Sequence, residues 1–487
     1  MSEFQTQLKD ALPRRSLFKV GSTANATVKK RELIEWHSKQ PETHVTTHEK
    51  VVDFHISGDC LVDGRNSYFS LELAANSFTA VLSNDITSII KNIKILLPSN
   101  GNLVLERIDN YNALAAMLNI VHRTGKEEAT SKWFSGANIG IDNFNEETLP
   151  RKRRFLHLNE GGWRTFTFQL HLSSIMNKLE QYLPLFLLNG IHLQITLATP
   201  TTAWKFDPAK EQSWKDVFDG IEGLMTGDEY EALPDADKPA VQQRMMDFYG
   251  RPAPTGQDLE YRVKTFTYHA SCIFMNPEYY SKLVSKAQGN EGIQVYFDTF
   301  LFNRLNNEGA VMQFSNLTEQ FQNLKGVFFA TLNMNNERDQ TKHSFSAFQP
   351  YLKTFRFRIG ARSYTLIEND TPNQAKSYTN TLLACNKYSN RDSSAIDFPT
   401  WSRTQNIHAF NFEKIPDEKC FSGQNTTDGR ILRLEYEYQN HQAETLEAGG
   451  RVYTLKPAVD CKEAVTYLFA HVTSMLHISN KGVSITY

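Results

Sequence analysis

The stretch from Trp163 to Thr199 constrains the fold more than any other part of the chain. It opens Trp163-Arg164-Thr165-Phe166-Thr167-Phe168-Gln169-Leu170-His171-Leu172. Apolar residues fall at every second place, so as a strand it buries Phe166, Phe168, Leu170 and Leu172 on one face. Thr167, Gln169 and His171 then face outward. The pair Ser173-Ser174 can cap a short helix whose apolar positions Ile175, Leu179 and Leu183 recur at helical spacing, and Pro184 ends it. After an Asn189-Gly190 turn signal the alternation resumes in Ile191, Leu193, Ile195 and Leu197, with His192, Gln194 and Thr196 facing the other way. Two half-buried strands joined by a small helical crossing are the grammar of a β-sandwich.

The same grammar recurs along the chain. Before this unit, strands are expected at Lys50 to Ile56, Tyr68 to Leu73, Ile89 to Leu97 and Leu103 to Ile108, followed by a helix from Asp109 through Val121 and a long polar loop from Thr124 to Pro150. After it, helical spacing appears in Trp204 to Met225 and in Asp237 to Tyr249, with Pro239 suited to a first turn. Gly250-Arg251-Pro252-Ala253-Pro254-Thr255-Gly256 reads as a linker. Strands return at Glu260 to His269, Ile293 to Phe302, Leu324 to Leu332, Phe355 to Ile359, Tyr364 to Ile367, Leu432 to Tyr438 and Val483 to Tyr487. A chain of 487 residues exceeds one ordinary core. It divides into an N-terminal arm (1–44), a first sandwich (45–200), a helical insertion and linker (201–257) and a second sandwich (258–487). The 32 Phe and 19 Tyr suit a strand-rich fold of this size.

A formal net charge of -2 excludes a protein whose whole surface grips nucleic acid, so basic contacts must be local. Two places qualify. Arg14, Arg15, Lys29, Lys30 and Arg31 lie in the first 44 residues, which read either as a frayed terminus or as an arm docking on a neighbour, a membrane surface or packaged nucleic acid. Arg151, Lys152, Arg153 and Arg154 form the densest basic run. It reads as a solvated loop edge, a phosphate contact, a nuclear import signal or a subunit contact. No run of about 18 apolar residues could span a bilayer, and Met1-Ser2-Glu3-Phe4 lacks a secretory core, so no transmembrane segment or signal peptide is expected. Five cysteines without a CxxC pair are expected as buried free thiols. GxGxxG, Walker, GxSxG, HExxH and HxH signatures are all missing. His44 and His48 would stand about 13 Å apart on a strand, too far for one zinc. No catalytic, cofactor or metal residue is therefore assigned.

Three passages resemble the double jelly-roll major capsid proteins of the adenovirus-hexon and tectivirus lineage, closest in type to those of virophages and Polinton-like viruses. Gln181-Tyr182-Leu183-Pro184 through Gly190 to Leu197 is similar to the helix and strand that close the family's first jelly roll. Phe355 to Ile359, Gly360, Tyr364 and Gln374 to Cys385 look like the strand, glycine turn, tyrosine and helix of its second. Ile478-Ser479-Asn480-Lys481-Gly482-Val483 is similar to its closing hairpin. The resemblance implies an all-β chain of two tandem antiparallel eight-stranded jelly rolls with short helices and long loop insertions. It also implies a major capsid protein: a homotrimer forming pseudo-hexameric capsomers in the icosahedral shell of a double-stranded DNA virus, without enzymatic activity or cofactors. Its partners would be neighbouring capsomers, minor capsid proteins (penton or cement), and an inner membrane or the genome. Arg14, Arg15, Lys29, Lys30 and Arg31 would be inward-facing arm contacts, and Arg151 to Arg154 loop contacts between subunits. Assembly would take place in the host cytoplasm or nucleus. The alternative is a tandem β-sandwich carbohydrate-binding or adhesin protein, for which Trp133, Trp163 and Trp204 could line a groove, although Trp163 at a strand head reads as core.

Overall fold

The computed structural model describes residues 28–75, 81–122, 163–179, 181–205, 214–215, 218, 225–249, 260–289, 292–306, 312–317, 319–334, 352–364, 366–369, 374–385, 398–403, 405–414, 423–427, 430–438, 444–448, 451–456 and 464–487. Four large antiparallel sheets pair into two sandwiches, a double jelly-roll architecture. In the first, one sheet has the order Val28–His37, Tyr261–Met275, Leu61–Ala75, Arg164–Phe168, with Glu42–Val45 and Leu183–Pro184 added at its ends. The facing sheet runs Lys50–Ile56, Ile191–Leu197, Ile90–Leu97, Leu103–Ile108.

The alternation in 191–197 fixes that second sheet. Ile191, Leu193, Ile195 and Leu197 are all buried while His192, Gln194 and Thr196 are half-buried on the outer face. Register aligns Leu193 with Phe54 on one side and Ile95 on the other, and Ile195 with Val52 and Ile93, so one apolar face is continuous across three strands. Between the sheets Phe54 meets Phe266 and Phe69 edge-on, with centroids 5.1 and 5.9 Å apart, an arrangement the ring quadrupoles favour.

The crossing between these strands is shorter than the expected helix. Ser173 accepts from the backbone N–H of Met176, capping a single π-helical turn, Ser174–Lys178, after which Leu183–Pro184 pairs with Leu61 and Val62. The turn sits on Gly64, where a Cβ would come within 2.4 Å of the Met176 carbonyl oxygen, so only glycine fits. Asn189 and Gly190 both adopt positive φ and turn the chain into 191–197. The expected helix after Asp109 is Tyr111–His122, packed on Ile86–Ile89 and Ile90–Leu97.

Two expected boundaries change. Residues 28–44, assigned to the arm, lie in and between strands of the first sandwich, because Val28–His37 and Glu42–Val45 both pair with Tyr261–Met275. Tyr261–Met275, expected to open the second sandwich, also pairs along Leu61–Ala75 and so belongs to a sheet of the first. Trp204, expected to start a helix, is instead fully buried in a short strand paired with Val81–Leu82. The Lys238–Tyr249 helix forms as expected, while the 250–256 linker lies outside the described residues.

In the second sandwich one sheet runs Ile293–Asn306, Ala464–Ser479, Leu324–Asn333, Ile407–Asn411, with Gly482–Thr486 closing a hairpin on Ala464–Ser479. The other runs Met312–Leu317, Leu432–Tyr438, Leu352–Ile359, Arg362–Ser363, with Ile367–Glu368 also on Leu352–Ile359. Phe329, Phe355, Phe357, Leu432, Leu434 and Leu468 are among the residues that fill its core. Ala464–Ser479 is buried on both faces over 464–470. Leu468 and Ala470 point into the second core, whereas Val465, Tyr467 and Phe469 join the apolar cluster of the first. The two sandwiches therefore share a hydrophobic seam.

Candidate functional site: the seam and the basic segments

Polar chemistry concentrates at this seam. Glu106, on the edge strand Leu103–Ile108, is register-paired with Ile95 and shares its inward face with Ile108. Its side chain is fully buried. The Ser173 hydroxyl donates to it at 2.5 Å, the Ser174 backbone N–H at 3.1 Å and the Ile175 N–H at 3.4 Å. The carboxyl group thus occupies the N-terminal end of the π turn, where unpaired N–H groups favour an acceptor. Ile293–Asn306 of the second sandwich packs against both Leu103–Ile108 and the turn. Burial dominates those hydrogen bonds and pushes the acid up to about 7, so it is poised between charged and neutral near neutral pH.

Beside it lies a cavity of about 330 Å³ between the sandwiches, lined on the first by Leu118, Asn119, His171 and Lys178 and on the second by Asp298, Phe300, Phe328 and His471. Burial raises Asp298, but His471 and Lys325 more than offset it and hold the carboxyl well below the usual range. Lys325 Nζ is 2.9 Å from Asp298 Oδ2, His471 Nε2 is 3.6 Å away, and the Thr473 hydroxyl donates to Oδ1 at 2.8 Å. The Asp298 charge is therefore matched within its own sandwich. Burial depresses Lys178, with Asp298 and Glu106 acting against that shift. The arrangement joins two bodies.

The sequence-predicted contacts fall elsewhere. Arg14, Arg15 and the whole run Arg151, Lys152, Arg153, Arg154 lie outside the described residues. Lys29, Lys30 and Arg31 sit on Val28–His37, not on a free arm. Arg31 bonds Asp63 at 3.0 Å and Ser271 at 2.7 Å, and Lys30 pairs with Glu32 while lying 4.7 Å from the Phe274 ring centroid. These two cations brace the sheet. His171 follows its strand and lines the cavity, which corrects the expectation of a solvent-facing residue. His192, half-buried on the outer face, bonds Asp53 at 2.9 Å. Among the described residues no group of three or more His, Cys, Asp or Glu side chains is placed to hold a metal ion. No described helix is long and apolar enough to cross a membrane.

Of these tryptophans, the two among the described residues do not share an exposed face. Trp204 is fully buried, and Trp133 lies outside the described residues. Trp163 is half-buried rather than core, with Lys264 Nζ at 4.1 Å and Arg262 at 5.1 Å from its ring centroid. Glu106 was missed in sequence, although its parity with Ile108 placed an acid on an apolar face.

No protein-family model matches the sequence, and no curated protein matches it. Solved structures do. PBCV-1 VP54, in a structure fitted into a cryo-EM reconstruction of the virophage Sputnik, aligns over 94% of this chain and 97% of its own at a TM-score of 0.54 and 11% identity. A quasi-atomic model of the PBCV-1 virus capsid gives a TM-score of 0.52 at 10% identity over the same shares of the two chains. The cryo-EM structure of the Sputnik virophage gives 0.50 at 9% identity, covering 98% of this chain and 92% of that one. The shared feature is the fold: two sandwiches joined in one chain.

Proposed function

We propose that this chain is a major capsid protein, the structural subunit of an icosahedral double-stranded DNA virus shell, assembled as homotrimeric pseudo-hexameric capsomers. The observation that carries this reading is the extent of the likeness to PBCV-1 VP54, which takes in nearly the whole of both chains. The physics supports it. Three copies of a chain with two sandwiches present six similar bodies around one axis, which approximates a hexagonal tile that packs without gaps. Antiparallel sandwiches joined by an apolar seam make a stiff wall, and loops between strands are free to form lateral contacts. The activity assigned is assembly, with no catalytic step.

In this reading the first unit comprises residues 28–205 together with 260–275, and the second residues 292–487. The segment 206–259 is an insertion between strands of the first. Arg14 and Arg15, ahead of the first described strand, would face inward toward genome or membrane. Arg151 to Arg154, between Tyr111–His122 and Arg164–Phe168, would contact a neighbouring subunit or a minor capsid protein. The location is the virion.

Sizing by light scattering, with imaging by electron microscopy, tests the assignment. The expected particle is about 167 kDa, three times the 55.7 kDa chain, and appears as a hexagonal tile. A stable 55.7 kDa monomer that binds glycans saturably would overturn it.

A further inference from the structure

The cavity between the sandwiches is built like a ligand site. Its volume of about 330 Å³ falls at the small end of the range that small-molecule sites occupy, with room for roughly ten non-hydrogen atoms. One wall is aromatic. Phe300 stacks on His471 with ring centroids 4.8 Å apart and 13° between the planes, and Phe328 lies 6.2 Å from each, so these rings of the second sandwich make a continuous surface. Leu118 and Leu172 line the side that the first sandwich contributes.

Charge is uneven around this chamber. Asp298 is matched by Lys325 at 2.9 Å and His471 at 3.6 Å, and Glu106 is fully buried beside the π turn, held by Ser173 and Ser174. Lys178, the last residue of that turn, is exposed, while the rest of the lining is buried or half-buried, so it stands at the mouth. Its ammonium group has no ion pair or hydrogen bond among the described residues. A cation without a partner at the mouth of an apolar chamber selects an anion with an apolar body. Because the cation and the aromatic wall belong to different sandwiches, a molecule that meets both must bridge the seam.

We propose that this cavity binds a small amphipathic carboxylate, its head on Lys178 and its apolar body against Phe300, Phe328 and Leu118, and that the bound molecule clamps the two sandwiches together. Binding to the folded state alone stabilises it by mass action. The site lies within one chain, so it is tested independently of capsomer assembly.

Sodium octanoate is the probe, since its size matches the cavity. 1-Octanol keeps the apolar body without the charge, and acetate keeps the charge without the body. Calorimetric titration of the full-length chain at neutral pH should give one octanoate per chain with a dissociation constant below about 1 mM. Octanol should bind at least about tenfold more weakly, and acetate not at all at the same concentrations. Lys178→Met should weaken octanoate by about tenfold or more and leave octanol unchanged. Hydrogen exchange read by mass spectrometry should slow with octanoate in peptides from both sides, Ser174–Lys178 and Ile293–Asn306. Absence of saturable octanoate binding, octanol or acetate binding equally well, an affinity unmoved in Lys178→Met, or protection confined to one sandwich would each overturn the proposal. Should Lys178→Met fail to fold, the three titrations of the wild type and its exchange data decide alone.

Discussion

Two buried titratable residues with opposite shifts contribute in opposite senses to the pH response of the fold. Glu106 is pushed up to about 7 by burial, against an ordinary 4.5. The unfolded chain therefore releases its proton first, and the stabilisation it contributes is complete below about 4.5 and lost as pH rises through 7. At about 1.4 kcal/mol per pH unit this amounts to roughly 3 kcal/mol. His408 is the reverse. It is buried against Phe329, Phe355 and Trp401, donates from Nε2 to Asn406 Oδ1 at 2.8 Å, and contacts the Ser377 hydroxyl through Nδ1 at 3.1 Å. Burial pushes it down to about 3. The unfolded chain takes up the proton first, so stability is lost as pH falls from about 6.5 toward 3. Between 4.5 and 6.5 the two groups oppose each other, and only variants separate them. Glu106→Gln should cost about 1–3 kcal/mol at pH 5, because its amide meets the donors of Ser173 and Ser174. Relative to that variant, wild type should lose roughly 2 kcal/mol between pH 5 and 7.5, read from urea midpoints. His408→Gln should flatten the acid limb below pH 6.5. Parallel pH profiles for wild type and both variants would refute the assignment of the two groups.

At the scale of elements, the strand Val28–His37 ties the N-terminal segment to the first sandwich. It pairs with Tyr261–Met275 from Val28 against Met275 to His37 against Thr267, and Trp36 stacks on Tyr268 with ring centroids 6.1 Å apart. Removing residues 1–27 leaves every described strand in place and serves as the reference. Removing 1–45 takes away two strands and the buried Val45, and should destabilise by at least about 3 kcal/mol. Equal stability of the two truncations would mean that the strand adds nothing to the sheet. This strand was illegible in sequence because it lies at a sheet edge with most of its residues exposed, so no apolar alternation marks it. Ala464–Ser479 was missed for the opposite reason: 464–470 is buried on both faces, and an apolar run has no period to read. Lys50–Ile56, Leu103–Ile108, Ile191–Leu197 and Leu432–Tyr438 fall at their expected bounds. Three of these alternate cleanly between a buried face and a wetter one. Leu103–Ile108 is the exception that hid Glu106, since the register slips at Leu105 and both Leu105 and Glu106 are buried, which breaks the alternation. Pairing partners were the least legible property. Tyr261–Met275 joins the first sandwich through contacts some 200 residues away in sequence, which no local pattern encodes.

Over the whole molecule, the seam determines whether two sandwiches act as two bodies or one. Domains joined by a small polar contact melt separately and move relative to each other, whereas a large apolar interface couples them. Here one apolar cluster runs from Phe54 and Phe166 of the first sandwich to Phe297, Phe300, Tyr467 and Phe469 of the second, so neither half keeps a complete core if the other unfolds. The C-terminal hairpin adds a polar stitch, the Asn100 side-chain amide donating to the Val483 carbonyl at 2.7 Å. Calorimetry of the full chain should therefore show one transition whose calorimetric and van't Hoff enthalpies agree per cooperative unit. Phe297→Asp places a charge at a seam position that is 4% exposed and should uncouple the halves, giving two transitions with the earlier one lower than wild type. Leu434→Ala, in the second core alone, should lower the melt by a similar free energy, about 2–5 kcal/mol, while keeping a single transition. Two transitions in wild type, or a single one retained in Phe297→Asp, would show that the seam does not couple the sandwiches. The shell-tile role proposed above would require coupling of this kind, because load applied to one sandwich then passes to the other through packed side chains rather than through a hinge.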